Sequence, residues 1–255
     1  MPSEHRPVRI GMIVPSSNTC LEPQSYRILG DRTDVTLHFT RINVTRIALD
    51  NYSDKQFDAA GMRAAAELLA TADVDVIAWN GTSGSWLGAA HDEELIREIT
   101  DATGIPATTS TLAYLAAFSA FGTERIGMLT PYTADVNEAV VGSYAKHGIK
   151  IVDHRHLDLS DNESFARVTE AELLPGSLEL AALKPDALIY LCTNLYGAES
   201  AVEVEARTDV PVLDSVAVTL WHCLSLTGSR LLTPKWGQLL ADPSLTLDPP
   251  PLGLR

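Results

Sequence analysis

Asp75-Val76-Ile77-Ala78-Trp79-Asn80-Gly81-Thr82-Ser83 and Asp186-Ala187-Leu188-Ile189-Tyr190-Leu191-Cys192-Thr193-Asn194 are two copies of one pattern. Each is a short apolar strand that runs into a turn of small and polar residues. Arg9-Ile10-Gly11-Met12-Ile13-Val14-Pro15 is echoed by Arg125-Ile126-Gly127-Met128-Leu129-Thr130-Pro131, and Gly104-Ile105-Pro106 by Asp209-Val210-Pro211. Two related halves are expected to face each other about a pseudo-twofold axis, with equivalent turns on opposite walls of one cleft. One wall then carries the thiol of Cys192, and the other carries Gly81, which has no side chain.

Around these copies, strand-like runs alternate with helical patterns. Strands are expected at Val8–Pro15, Val35–Ile42, Val74–Trp79, Ile105–Thr108, Ile126–Leu129, Ile149–Leu157, Ala187–Leu191 and Val210–Leu213. Several are continuous Val/Ile/Leu runs, as required of parallel strands covered on both faces by helices. Helical periodicity marks Asp54–Ala70, Asp92–Thr103, Thr111–Phe121, Ala134–His147, Glu199–Arg207 and Val216–Leu226. The alternation predicts an α/β fold of two lobes, each a four-stranded, mostly parallel sheet flanked by helices. The lobes are drawn at residues 1–110 plus 217–255 and at 111–216, with no linker between independently folding domains. The tail from Ser229, with Pro243 and Pro249-Pro250-Pro251, lacks periodicity and reads as an arm or frayed end.

Composition narrows the function. The 255-residue chain is 45% hydrophobic, enough for a full core, and has no run of the ~18–20 apolar residues that a membrane span needs. Its formal charge of −14 argues against nucleic-acid or anionic-membrane partners. Three widely spaced cysteines suit neither a disulfide framework nor a zinc site. With no apolar leader after Met1, a cytoplasmic protein is expected. Self-association into a homo-oligomer is left open.

Ligands of such sheets bind beyond the carboxyl ends of the strands. Four turns lie there: Pro15-Ser16-Ser17-Asn18-Thr19, Gly81-Thr82-Ser83-Gly84-Ser85, Pro131-Tyr132-Thr133-Ala134-Asp135-Val136-Asn137 and Cys192-Thr193-Asn194-Leu195-Tyr196-Gly197. All are dense in hydroxyls, amides and small residues. Backbone N–H groups at helix starts can hold a carboxylate without Arg or Lys.

In these turns, with Ile10-Gly11-Met12-Ile13-Val14-Pro15 ahead of them, Asp135-Val136-Asn137-Glu138 and Leu191-Cys192, the chain resembles the aspartate/glutamate racemase superfamily over residues 8–228. The resemblance is strongest to its maleate cis–trans isomerase and arylmalonate decarboxylase branches. It implies two similar α/β lobes with the site between them, a small carboxylate substrate, and no cofactor or metal. Racemases and maleate isomerases carry a cysteine on each wall. Arylmalonate decarboxylases resemble this chain more closely, with Gly-Thr-Ser in the first lobe and one cysteine in the second.

The residue chemistry agrees. A carbanion beside a carboxylate is an enediolate, whose charge needs fixed donors. The hydroxyls of Thr82, Ser83 and Tyr132, with the backbone N–H groups of Ser83, Cys192 and Thr193, are expected to form that cage, and Cys192 to supply the proton. Ser16 and Asn18 are further carboxylate contacts. A free thiol is mostly protonated near neutrality, as a general acid should be, and placement of Cys192 at a helix start would lower its pKa. Arg41-Ile42-Asn43-Val44-Thr45-Arg46 departs from the arylmalonate branch: if Arg41 or Asn43 points inward, the substrate is more polar than an aryl acid. The readings are therefore a decarboxylase of a substituted malonate-like acid, an isomerase or racemase of a small carboxylic or amino acid, and a non-catalytic carboxylate binder.

Other signals are weaker. Gly81–Ser85 only brushes the G-x-S-x-G nucleophile elbow, and His222 sits in an apolar helical pattern as a core histidine. His154 and His156 share a strand face, a spacing metals sometimes use. Cys20 reads as a structural thiol near a helix start. No dinucleotide or P-loop signature is present, and the glycosylation patterns at Asn43 and Asn162 are idle in a cytoplasmic protein.

Overall fold

In a computed structural model, residues 6–47, 49, 59–230 and 233–241 are described. The expected tail with Pro243 and Pro249–Pro251, and the start of the helical pattern at 54–58, lie outside them. Two four-stranded sheets form, with strand orders β2-β1-β3-β4 and β6-β5-β7-β8. They comprise β1 (Val8–Pro15), β2 (Val35–Ile42), β3 (Val76–Trp79) and β4 (Ala107–Thr109), then β5 (Arg125–Thr130), β6 (Lys150–His156), β7 (Ala187–Tyr190) and β8 (Val212–Asp214). Every strand pair is parallel. The central strands β3 and β7 are buried along their whole length, which explains their unbroken apolar sequences.

The helices are α1 (Leu21–Leu29), α2 (Ala59–Ala70), α3 (Gly84–Leu87), α4 (Ala89–Thr103), α5 (Ser110–Phe121), α6 (Ala134–Ala145), α7 (Asn162–Phe165), α8 (Glu170–Ala181), α9 (Gly197–Thr208), α10 (Ser215–Leu226) and α11 (Gln238–Ala241). The duplication extends to atoms. Asp75 exchanges backbone bonds with Arg9, its N–H donating to the Arg9 carbonyl at 2.7 Å while its carboxylate takes the Arg9 N–H at 2.8 Å. Asp186 does the same with Arg125, at 2.8 Å both ways. Each aspartate thus sets the register at the start of its central strand, and the turn that matters follows at the other end.

Helices α5 and α10 pack on each other and tie the halves together. From α5, the Tyr114 hydroxyl reaches the second sheet and donates to the Tyr190 carbonyl at 2.7 Å. From α10, His222 Nδ1 lies 2.9 Å from Thr108 Oγ1 of the first sheet. His222 is accordingly a partnered histidine, and burial drives its pKa down to about 4. His154 is engaged by Asn137 at 3.1 Å and by Glu138 at 3.3 Å. Among the described residues no group of three His, Cys, Asp or Glu side chains is arranged to hold a metal ion, and no helix is long and apolar enough to cross a membrane.

Candidate active site

The turns after β1, β3, β5 and β7 converge. Cys192 follows β7 at a fixed height because its N–H donates to the Tyr190 carbonyl at 3.1 Å. That carbonyl also accepts from Tyr114 and, at 3.0 Å, from the Ser215 hydroxyl. The N–H of Cys192 is therefore occupied, and the anion cage expected from the sequence loses that donor. The Asn194 N–H points back to Cys192 Sγ at 3.3 Å.

The Tyr132 hydroxyl is the leading influence that holds the thiol's pKa down against burial. Tyr132 Oη in turn lies 2.7 Å from Thr82 Oγ1 across the interface between the halves. Thr82 and Tyr132 therefore form a hydroxyl pair that bridges the two walls near the thiol. The ring of Tyr132 is held edge-on by Trp86 and Phe165, each with centroids at 5.5 Å.

Burial dominates the electrostatics. Cys192 is 2% exposed, and desolvation pushes its thiol up to about 12 against the opposing pull of Tyr132 and the Asn194 N–H. The lowering that a helix start would bring does not occur: desolvation dominates, and the next helix along the chain, α9, begins only at Gly197. Burial also raises Tyr132, whose hydroxyl stays protonated. Desolvation outweighs both influences that favour a thiolate, so the resting site is a set of neutral O–H and S–H donors.

Thr82, Ser83, Tyr132, Cys192 and Thr193 are each at most 4% exposed, so these groups lie in the interior between the two walls. The turns are clasped by Thr193 Oγ1 donating to the Asn80 carbonyl at 3.0 Å and by Asn18 Nδ2 donating to Thr193 Oγ1 at 3.3 Å. Asn194 adds more: Oδ1 takes the N–H groups of Thr19 (2.9 Å) and Cys20 (3.1 Å), and Nδ2 donates to the Asn162 carbonyl at 2.5 Å. Its role as a clasp was not anticipated, although its place as the partner of Ser83 in the repeat marks it.

The remaining candidates divide. Asn18 Oδ1 caps α1 by accepting from Cys20 and Leu21, so the first helix start is satisfied from within. Ser16 Oγ takes the Val44 N–H at 3.2 Å and fastens the β1 turn to the segment after β2. Arg41 does not offer its guanidinium to the cleft. It donates to the carbonyls of Ser16 and Asn18 at 2.9 Å each and pairs with Glu22. The carbonyls of Pro15, Ser16 and Asn18 explain the reversal: a turn with outward carbonyls draws the cation onto itself. Asn43 is exposed beside it. Cys20 is fully buried, with its thiol raised by desolvation, and Cys20, Cys192 and Cys223 are all unpaired.

Gly81 has a steric cause. A Cβ built on it would come within 2.3 Å of Cε2 and Cζ2 of Trp79. The same indole donates its Nε1–H to Ser83 Oγ at 3.3 Å.

Comparison with known proteins places this geometry. Residues 10–240 match the family model described as arylmalonate decarboxylase. The chain is 29% identical over 237 residues to an arylmalonate decarboxylase of Bordetella bronchiseptica, covering 91% of this chain and 96% of that one. It is 28% identical over 246 residues to a maleate isomerase of Pseudomonas putida, covering 91% and 97%. Among solved structures, the maleate isomerase Iso of Pseudomonas putida S16 superposes with a TM-score of 0.84 at 26% identity, covering 92% of this chain and 99% of that one.

Proposed function

Because the chain belongs to the arylmalonate decarboxylase family, we propose that it is a cofactor-independent enzyme that removes CO2 from a substituted malonate-like acid and protonates the resulting enediolate from Cys192. The observation that carries this reading is the one-sided site. A protonated thiol lies near the Thr82–Tyr132 hydroxyl pair, and the position equivalent to it in the other half of the repeat is Gly81.

In the proposed reaction both walls part, the dicarboxylate enters, and one carboxylate lies among the hydroxyls of Thr82, Ser83 and Tyr132. Loss of CO2 leaves its electron pair on the α-carbon, delocalised into that carboxylate as an enediolate. Fixed neutral donors stabilise the added charge, each worth about 3 kcal/mol in such sites. Cys192 transfers its S–H proton to the α-carbon, and water or the next substrate exchange returns a proton to the sulfur. A thiol with a pKa of about 12 is an acid that stays loaded at neutral pH. The same value disfavours a thiolate that abstracts protons or adds to double bonds.

Arg41, tied to its own turn, no longer argues for a polar substituent, and Trp86 and Phe165 flanking Tyr132 support an apolar one. The walls correspond to the division at residues 1–110 plus 217–255 and 111–216. Three free thiols suit a reducing compartment such as the cytoplasm.

The second reading is isomerisation of a maleate-like acid, favoured by the near-equal similarity to maleate isomerases. It lacks a thiol at position 81. Both readings are tested by NMR in D2O on a panel of substituted malonates, maleate and amino acids. Decarboxylation by the wild type and its loss in Cys192→Ala, with substrate binding retained, is the expected result. Isomerisation or α-exchange without CO2 release would favour the second reading, and no turnover on any of them would leave a binder.

A further inference from the structure

We propose that Trp79 is the positioning residue that keeps this site one-sided: its indole closes the wall opposite the thiol and orients the Ser83 hydroxyl toward the bound carboxylate. The inference rests on the decarboxylase reading for its catalytic half and on geometry alone for its steric half.

Trp79 ends β3, and two residues later Gly81 projects from the same face of the extended chain. The indole leans forward over that position. A Cβ at 81 would meet Cε2 and Cζ2 at 2.3 Å and Nε1 at 2.6 Å, well inside ordinary contact. These are atoms of a rigid bicyclic ring, not the free end of a flexible chain, and Trp79 is 1% exposed in a packed interior. No left-handed backbone angle is involved at Gly81, so space alone explains the glycine. Admitting a side chain there means displacing the ring by about an ångström.

That displacement has a chemical consequence. Indole Nε1–H can only donate, and its acceptor here is Ser83 Oγ at 3.3 Å. A hydroxyl that accepts from indole keeps its own proton for another partner. In the occupied site that partner is the substrate carboxylate. Moving the indole to admit a side chain at 81 therefore also releases Ser83, so a second proton donor on this wall and a correctly aimed Ser83 exclude each other.

The test has two arms. Thermal unfolding of the wild type, Gly81→Ala, Trp79→Leu and the double variant needs no substrate. Gly81→Ala is expected to lower Tm by about 5 °C beside Trp79, and by no more than about 1 °C beside leucine. Equal shifts in both backgrounds would overturn the steric half, whether or not any malonate is turned over. In the second arm, Trp79→Phe keeps an aromatic ring of smaller bulk and removes the N–H. On a decarboxylated malonate, kcat is expected to fall about tenfold with KM nearly unchanged. Gly81→Cys should acquire α-proton exchange of the product acid in D2O only when combined with Trp79→Leu. Exchange by the single Gly81→Cys variant at the rate of the double, or an unaltered kcat in Trp79→Phe, would refute the orienting role.

Discussion

Replacing Tyr132 by phenylalanine removes the oxygen that pairs with Thr82 across the two walls and little else. The ring contacts with Trp86 and Phe165, at 5.5 Å each, involve carbon atoms that phenylalanine retains, so the apolar packing survives. What is lost is the 2.7 Å bond to Thr82 and the hydroxyl's pull on the Cys192 thiol. Thr82 is then left buried with one partner fewer, which costs roughly 1–2 kcal/mol of stability, or a few degrees in Tm. The effect on the reaction should be larger, because the hydroxyl is one of few donors to the enediolate: about 100- to 1000-fold in kcat. The thiol should also become harder to ionise, since Tyr132 is the leading influence that lowers its pKa. Steady-state kinetics on a decarboxylated malonate, with unfolding curves on the same preparations, read both numbers. A kcat within threefold of the wild type in a folded Tyr132→Phe variant would show that the hydroxyl takes no part in stabilising the anion.

Asp92 is fully buried and its pKa is raised to about 7, chiefly by desolvation. The folded state then holds a proton that the unfolded chain releases above pH ~4, so stability should fall as pH rises from about 4 to 7, by up to ~4 kcal/mol from this group. Asp92→Asn should flatten that slope in unfolding curves between pH 5 and 8, and an unchanged slope would contradict it. Asn194→Ala removes the side chain that joins Thr19, Cys20 and Asn162, and should lower stability by about 3 kcal/mol in denaturant melts. Alkylation of Cys192 by iodoacetamide at pH 7 should be far slower than that of a free cysteine, as mass spectrometry of the labelled peptide would show.

How far the molecule can be read from its residues follows from what each feature depends on. The paired strands and their order depend on apolar runs of strand length, which the two copies around Trp79 and Tyr190 display openly. The thiol and the glycine at its equivalent position were legible because the repeat aligns them. Thr82 and Tyr132 were legible as turn residues at strand ends. Three things were not. The ionisation of Cys192 depends on desolvation by both halves together, so helix-start reasoning pointed the wrong way. The direction of Arg41 depends on which carbonyls its own turn presents, and these face it from Pro15 to Asn18. The need for glycine at 81 comes from a ring two residues earlier, whose rotamer no periodicity encodes. Ser16 and Asn18 lie near the expected place but serve the turn itself, because a short β–α connection must satisfy its own donors first.

The most direct measurement is the configuration of the product formed in D2O from a malonate bearing two different substituents. One sulfur, standing on one wall, should deliver deuterium to a single face and give one enantiomer in large excess, with no turnover in Cys192→Ala. A racemic product from the wild type, or undiminished decarboxylation without the thiol, would contradict the account at its root.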